Sequence, residues 1–144
     1  MSINTDWRAD GVIAAVIIIM IAVVMFLILM APSIARGEDN VKWTAGDTAL
    51  QTLYLATLEV DRAQTTYYGS RPQQFTESGW ARNFIGEHPT SGQANRYFAA
   101  CAIGHTVIAA MLPKPYRTVW QSFFIGIEAS AISSNVNAGI SIRF

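Results

Sequence analysis

Residues 11–31, GVIAAVIIIMIAVVMFLILMA, form an unbroken apolar run without one charged or strongly polar side chain. As a helix rising about 1.5 Å per residue, the run is roughly 31 Å long and matches the hydrocarbon thickness of a bilayer. It reads as a transmembrane span. The alternative is a cleaved signal peptide, marked by a basic leader and a shorter apolar run. Here the leader SINTDWRAD carries two acids and one Arg, so an uncleaved anchor is favoured. Trp7 suits an interfacial position before the span, and Trp43 a later boundary. Arg8 on one side and Arg36 and Lys42 on the other give too slight a bias to orient the chain.

Pro32, Ser33 and the polar run Arg36-Gly37-Glu38-Asp39-Asn40 end this helix and form a linker. Residues 48–68 then read as a helix that Asp47 is placed to cap. Leu50, Leu53, Tyr54 and Leu58 recur at three and four and make one apolar stripe. Glu59 and Arg62 lie on another stripe, at a spacing that permits an ion pair. Such a helix suits a membrane surface or a place shielded by neighbours. Residues 69–95, with Pro72, Gly79, Gly86, Pro89 and Gly92, read as a long loop or re-entrant segment. Helices are expected over 96–112 and from 118 to about 137, separated by the break at Pro113-Lys114-Pro115. Ala99, Ala100, Ala102, Gly104, Ala109 and Ala110 predict close helix approach. The tail 137–144 alternates apolar and polar like a barrel strand. One strand closes no barrel and an open edge is forbidden in lipid, so a frayed extension is expected. The expected architecture is an all-α integral membrane bundle of about four helices. Residues 1–36 form its transmembrane anchor and 37–144 a helical membrane-associated domain.

Composition sharpens this. Charged residues are 14% of the chain, well below the quarter or so of a soluble domain, while apolar residues reach 51%. The deficit is in surface-forming charge, which implies surroundings that are partly lipid. Lys plus Arg and Asp plus Glu are both 10, so no bulk field attracts nucleic acid. The single cysteine, Cys101, excludes an intrachain disulfide and a Cys-based metal site, and reads as a packed thiol.

A charge at mid-membrane costs about 2.5–3.5 kcal/mol, which singles out Asp61, Gln64, His105 and Glu128. Asp61, Gln64 and Thr65 share one helix face. Gln121, Glu128 and Asn135 follow at intervals of seven and again share a side. Gathered together, these residues make a candidate buried polar cluster. One reading is a site, with His105 as base or metal ligand and Asp61 and Glu128 as ligands or proton carriers. The other is interhelical hydrogen bonding at about 0.6–2 kcal/mol per bond. No HxxxH or ExxH spacing is present, so hydrogen bonding is favoured and no catalytic residue, metal or cofactor is assigned. His88, in Gly86-Glu87-His88-Pro89, reads as a turn element. Lys114, Tyr116, Arg117 and Trp120 join Trp7 as expected interface anchors, the cations snorkelling to water and the rings at headgroup level.

The set Asp61-x-x-Gln64-Thr65, Glu77, Ile85-Gly86-Glu87-His88-Pro89, Gly104-His105, Leu112-Pro113-x-Pro115-Tyr116-Arg117, Gln121, Ile125-Gly126-x-Glu128 and Asn135 resembles a group of small uncharacterised bacterial and phage membrane proteins. The likeness runs over roughly 44–144 and leaves out the first span. That group commonly carries Glu-x-Asn-Pro where this chain reads Glu77-Ser-Gly-Trp80. The resemblance implies a polytopic helical fold and a bacterial inner membrane, with the gene at times carried on a phage, and no particular activity. The expectation is therefore a non-enzymatic accessory or assembly subunit of a membrane complex, in contact with the bilayer and forming a homo-oligomer or part of a larger assembly. Two alternatives stay open: a membrane-embedded metal-dependent or proton-transferring site on Asp61, His105 and Glu128, and a small pore, such as a phage lysis or DNA-entry factor, lined by Gln121, Glu128 and Asn135.

Overall fold

The computed structural model describes residues 42–79 and 81–140. The apolar run 11–31, Trp7 and the end of the tail lie outside the described residues. The rest is all-α, with α1 (Ala45–Gly69), a one-turn α2 (Arg82–Ile85), α3 (Ser91–Met111) and α4 (Lys114–Asn137). No strand occurs among the described residues, and none of these helices is long and apolar enough to cross a membrane.

Each long helix begins before its periodicity does, for a local reason. Thr44, rather than Asp47, caps α1. The Thr44 hydroxyl accepts from the Asp47 N–H at 3.2 Å, while the Asp47 carboxylate accepts from the Thr44 N–H at 2.8 Å. This reciprocal box satisfies two donors that have no partner within the helix. Thr90 and Gln93 repeat it at 3.3 and 2.9 Å, so α3 starts at Ser91 instead of 96. In α4 the prolines sit at the cap and in the first turn, where a missing N–H is no loss. The helix therefore begins at Lys114 instead of 118. Its other end closes on Gly139, whose φ of 83° only glycine adopts freely. Gly139 donates to the Val136 carbonyl and Ile140 to that of Asn135, both at 2.9 Å, the pattern of a Schellman cap. Ile140 is buried, so the expected fraying does not begin before 140.

α1 runs antiparallel to α3, since Gln51 meets Thr106 and Arg62 meets Asn95. It runs parallel to α4 in strict register: Asp47 meets Arg117 and Gln51 meets Gln121, each seventy residues on. The inward face of α1 is Asp47, Gln51, Tyr54, Leu58, Asp61, Thr65 and Tyr68, alternating steps of four and three. Arg117, Gln121, Phe124, Glu128, Ala131 and Asn135 repeat the same steps on α4. Two parallel helices with this seven-residue seam pack side chain against side chain along their length. Here the seam is mostly polar.

The apolar core is small. Tyr54, Leu58, Ala94 and Phe98 form it, with Tyr97, Cys101, Phe124 and Ile125 packed against them. Of the stripe expected on α1, Tyr54 and Leu58 are buried, but Leu53 is 49% exposed because the seam turns it outward. The small residues of α3 divide similarly: Ala109 is buried, while Ala99, Ala100, Gly104 and Ala110 face out. Among the described residues seven polar side chains are buried, against nine apolar ones. Outside stand Leu53, Ile103, Val107, Met111, Val119, Phe123 and Ile127. Water favours the opposite arrangement.

The connection from α1 to α3 is anchored at both ends. Gly69 lies so close to Pro89 that a Cβ would run into the Pro89 carbonyl. The Glu77 N–H donates to the Glu87 carbonyl at 2.9 Å, and Ile85 is 2% exposed. This is an ordered loop with one helical turn. His88 lies exposed in it.

Candidate functional site

The seam resolves into three levels. At the first, Arg117 is fully buried instead of snorkelling to water. Its guanidinium donates to the Asp47 carboxylate at 3.1 Å, to the Ala109 and Leu112 carbonyls at 2.8 and 2.9 Å, and to the Lys42 carbonyl at 3.3 Å. The Trp43 ring lies 4.8 Å from it. The physical reason for this placement lies at the end of α3. The last carbonyls of a helix have no intrahelical donor and carry partial negative charge. Pro113 and Pro115, lacking N–H groups, supply none, and a planar guanidinium reaches several acceptors at once. Arg117 thus clasps the end of α3, the start of α1 and the start of α4. Gln121 adds a bond to the Asp47 carbonyl at 3.1 Å and one to Gln51 at 3.2 Å, and Gln51 donates to Thr106 at 2.9 Å.

His105 occupies the middle level. Its ring stacks on Tyr54 at 3.7 Å between centroids, with Phe124 at 5.3 Å and Trp120 at 5.7 Å. Both ring nitrogens are buried without a hydrogen-bond partner. The indole N–H of Trp120 is buried too, so this ring serves packing between α3 and α4 instead of an interface position. Of the other expected anchors, Lys114 is exposed and Tyr116 half-buried.

The third level holds the carboxyl groups. Asn135 donates to Asp61 and to Gln64, both at 3.0 Å. Tyr68 donates to Glu77, and Thr65 is buried beside them. Burial, reinforced by the charge of Glu77, pushes the Asp61 carboxyl up to about 6. Burial and then the charge of Asp61 push Glu128 up to about 7. Burial also raises the Cys101 thiol, which keeps it in its unreactive form.

The seven residues of the expected cluster thus lie along one seam, at different heights. In the antiparallel register His105 is level with Thr52, nine residues below Asp61. That is about 14 Å along the axis. Glu128 feels the charge of Asp61, whereas His105 contacts rings. Gln121 and Asn135 bond to α1 instead of facing a lumen. Among the described residues no group of three or more His, Cys, Asp or Glu side chains is placed to hold a metal. Sequence reasoning missed Gln51 and Tyr68 as seam members, placed Tyr54 only on an apolar stripe, and took Asp47 only as a cap. The signal that reveals them is the four-and-three spacing from Asp47 to Tyr68, visible once polar residues are allowed inside. Comparison with known proteins finds no matching family model, no matching curated protein and no matching solved structure.

Proposed function

We propose that this chain is a non-enzymatic accessory or assembly subunit of a bacterial membrane complex, phage-borne in some settings as the resemblance implies. The run 11–31 fixes it in the bilayer. The helical domain meets lipid and neighbouring subunits with its apolar exterior. One observation carries this reading: Asp47, Gln51, Asp61, Gln64, Arg117, Gln121 and Asn135 bond to one another or to backbone between the helices, while large apolar side chains stand outside. Ile103 and Met111 are each 65% exposed and Val119 67%. In water each would leave apolar surface wet at about 25 cal/mol per Å². Against lipid or another subunit that loss disappears, and the interior hydrogen bonds fix one packing. Among the described residues, no exposed side chain of the helices carries a charge between Lys42 or Lys114 and the level of Glu59. That belt is about 24 Å tall at 1.5 Å per residue.

Two measurements on the full chain test this. The protein is expected to stay with membranes through alkaline carbonate extraction, and to run in mild detergent as an oligomer or with co-purifying subunits. Extraction as a soluble protein, or a stable monomer without partners, refutes it.

The paired carboxyls favour one second reading, in which Asp61, Glu77 and Glu128 relay protons at the charged end of the seam. Proton uptake by reconstituted vesicles that disappears in Asp61→Asn and Glu128→Gln separates this from a purely structural role.

A further inference from the structure

Between α1 and α3 runs a groove of about 560 Å³. Leu55, Leu58, Phe98, Ala99 and Ala102 line it, and its polar end is formed by Glu59, Arg62 and Asn95. The geometry points to a phospholipid with a phosphoethanolamine headgroup as its occupant. The acyl chain enters the groove, the phosphate accepts from Arg62 and Asn95, and the ammonium donates to Glu59.

The lining is that of an amphiphile's site. Small-molecule pockets have this volume, apolar walls and a few polar groups that fix orientation. Here the polar groups are gathered at one end. From Arg62 to Leu55 on α1, and from Asn95 to Ala102 on α3, is seven residues each, or about 10 Å of helix. That length holds the upper part of one acyl chain.

Charge selects the headgroup. Arg62 donates through Nε and Nη2 to the two oxygens of Glu59, and through Nη1 to the Asn95 carbonyl oxygen at 2.8 Å. A guanidinium has five N–H groups. Those that remain on Arg62, and both on the Asn95 amide, have no partner among the described residues, and a phosphate is the strong acceptor for such donors. The Glu59 carboxylate is 52% exposed, and its oxygens keep lone pairs for a further donor. Phosphate and ammonium together thus complement a pair that is itself neutral. An anionic headgroup meets the Glu59 carboxylate with no cation left to balance it. A choline headgroup has no N–H to donate, and quaternary ammonium ions are held by aromatic cages, whereas Phe98 is the only ring lining this groove. The site builds on the membrane reading, since Glu59 and Arg62 stand where the uncharged belt of the exterior ends. The head then lies at headgroup depth and the tail along the belt.

Native mass spectrometry of the full chain in mild detergent provides the test, with dioleoyl lipids of phosphoethanolamine, phosphocholine and phosphoglycerol headgroup as probes. One phosphoethanolamine lipid per chain is expected, bound about tenfold or more tighter than either of the others, as one charge-assisted hydrogen bond allows. Glu59→Gln leaves Arg62 without its carboxylate and should pass the preference to the phosphoglycerol lipid. Ala99→Trp, at an exposed position on the groove, should remove binding of all three with the circular dichroism spectrum unchanged. Equal binding of the three lipids, indifferent to Glu59→Gln, would mark unspecific lipid on the exterior and overturn the proposal. So would a preference of the unaltered chain for the phosphoglycerol lipid, or no retained lipid at all. Binding in detergent is read apart from membrane extraction. A chain that leaves the bilayer at alkaline pH yet selects phosphoethanolamine refutes the membrane reading and keeps this site.

Discussion

Replacing Arg117 by methionine keeps much of the side chain's apolar length and removes its charge and its fork of donors. Asp47, 2% exposed, is then left as a buried carboxylate without its cation, supported only by Thr44. The Leu112 carbonyl loses its donor as well, and the Ala109 carbonyl keeps only the long bond from the Leu112 N–H at 3.4 Å. Breaking one side of a buried ion pair costs about 3–5 kcal/mol. An orphaned carbonyl adds about 1 kcal/mol or more where water does not reach it. Relaxation of the helix end offsets part of this, so a loss of about 3–5 kcal/mol is expected for Arg117→Met. For a domain of this size that is a fall in Tm of about 12 °C or more. Asp47→Asn retains an acceptor for Thr44 but strands the guanidinium, and should lose about 3 kcal/mol. The double variant buries no charge, and should be less destabilised than the sum of the singles by about 2 kcal/mol or more. Unfolding of the full chain in mild detergent, followed by far-ultraviolet circular dichroism, measures all four proteins. A loss under about 0.5 kcal/mol for Arg117→Met, as at an ordinary surface site, refutes the clasp. So does additivity of the two singles within about 0.5 kcal/mol.

Other expectations follow from the same seam. His105→Leu removes two buried ring nitrogens that have no partner, so Tm should change by no more than a few degrees in either direction. A collapse of the fold would show that the imidazole makes a bond essential to the bundle. Gly69→Ala drives a methyl into the Pro89 carbonyl and should lower Tm markedly, whereas Gly126→Ala, inside α4 with nothing within 4 Å, should hold Tm or raise it, by up to about 1 kcal/mol of stability. Equal Tm values for these two variants would contradict the placement of the loop. The carboxyls of Asp61 and Glu128 are raised to about 6 and about 7. The folded state therefore binds protons that the unfolded state has released. Their contribution to stability is greatest near pH 4 and falls as pH rises to about 7. Tm in Asp61→Asn/Glu128→Gln should vary less over that window, and an unchanged pH profile would refute the assignment.

Much of the fold is legible in the chain, and its errors have physical causes. Three helices follow from apolar recurrence and the proline break, but their starts do not, because side-chain caps set them. Thr44-x-x-Asp47 and Thr90-x-x-Gln93 carry those starts. Gln121, Glu128 and Asn135 reveal one side of the seam by spacing alone. The matching side on α1 stays hidden while only apolar residues count as inward, since Leu50 and Leu53 draw the stripe the wrong way. Arg117 is the clearest case. A cation between prolines and aromatics reads as an interface anchor, and only the meeting of three helix ends shows that the same charge belongs inside. The height difference between His105 and Asp61 depends on the α1–α3 register, which no single helix encodes.

The central claim is that this bundle is polar within and faces lipid or subunits without. Val119 and Phe123, on the outer face of α4, test it most directly. In a Cys101→Ser background, Val119→Cys and Phe123→Cys would each carry a fluorescent label in protein reconstituted into vesicles. Brominated acyl chains are predicted to quench both labels strongly, and a water-soluble quencher to have little effect. Quenching from water alone, with no response to brominated lipid and no shielding by a partner subunit, would contradict the account.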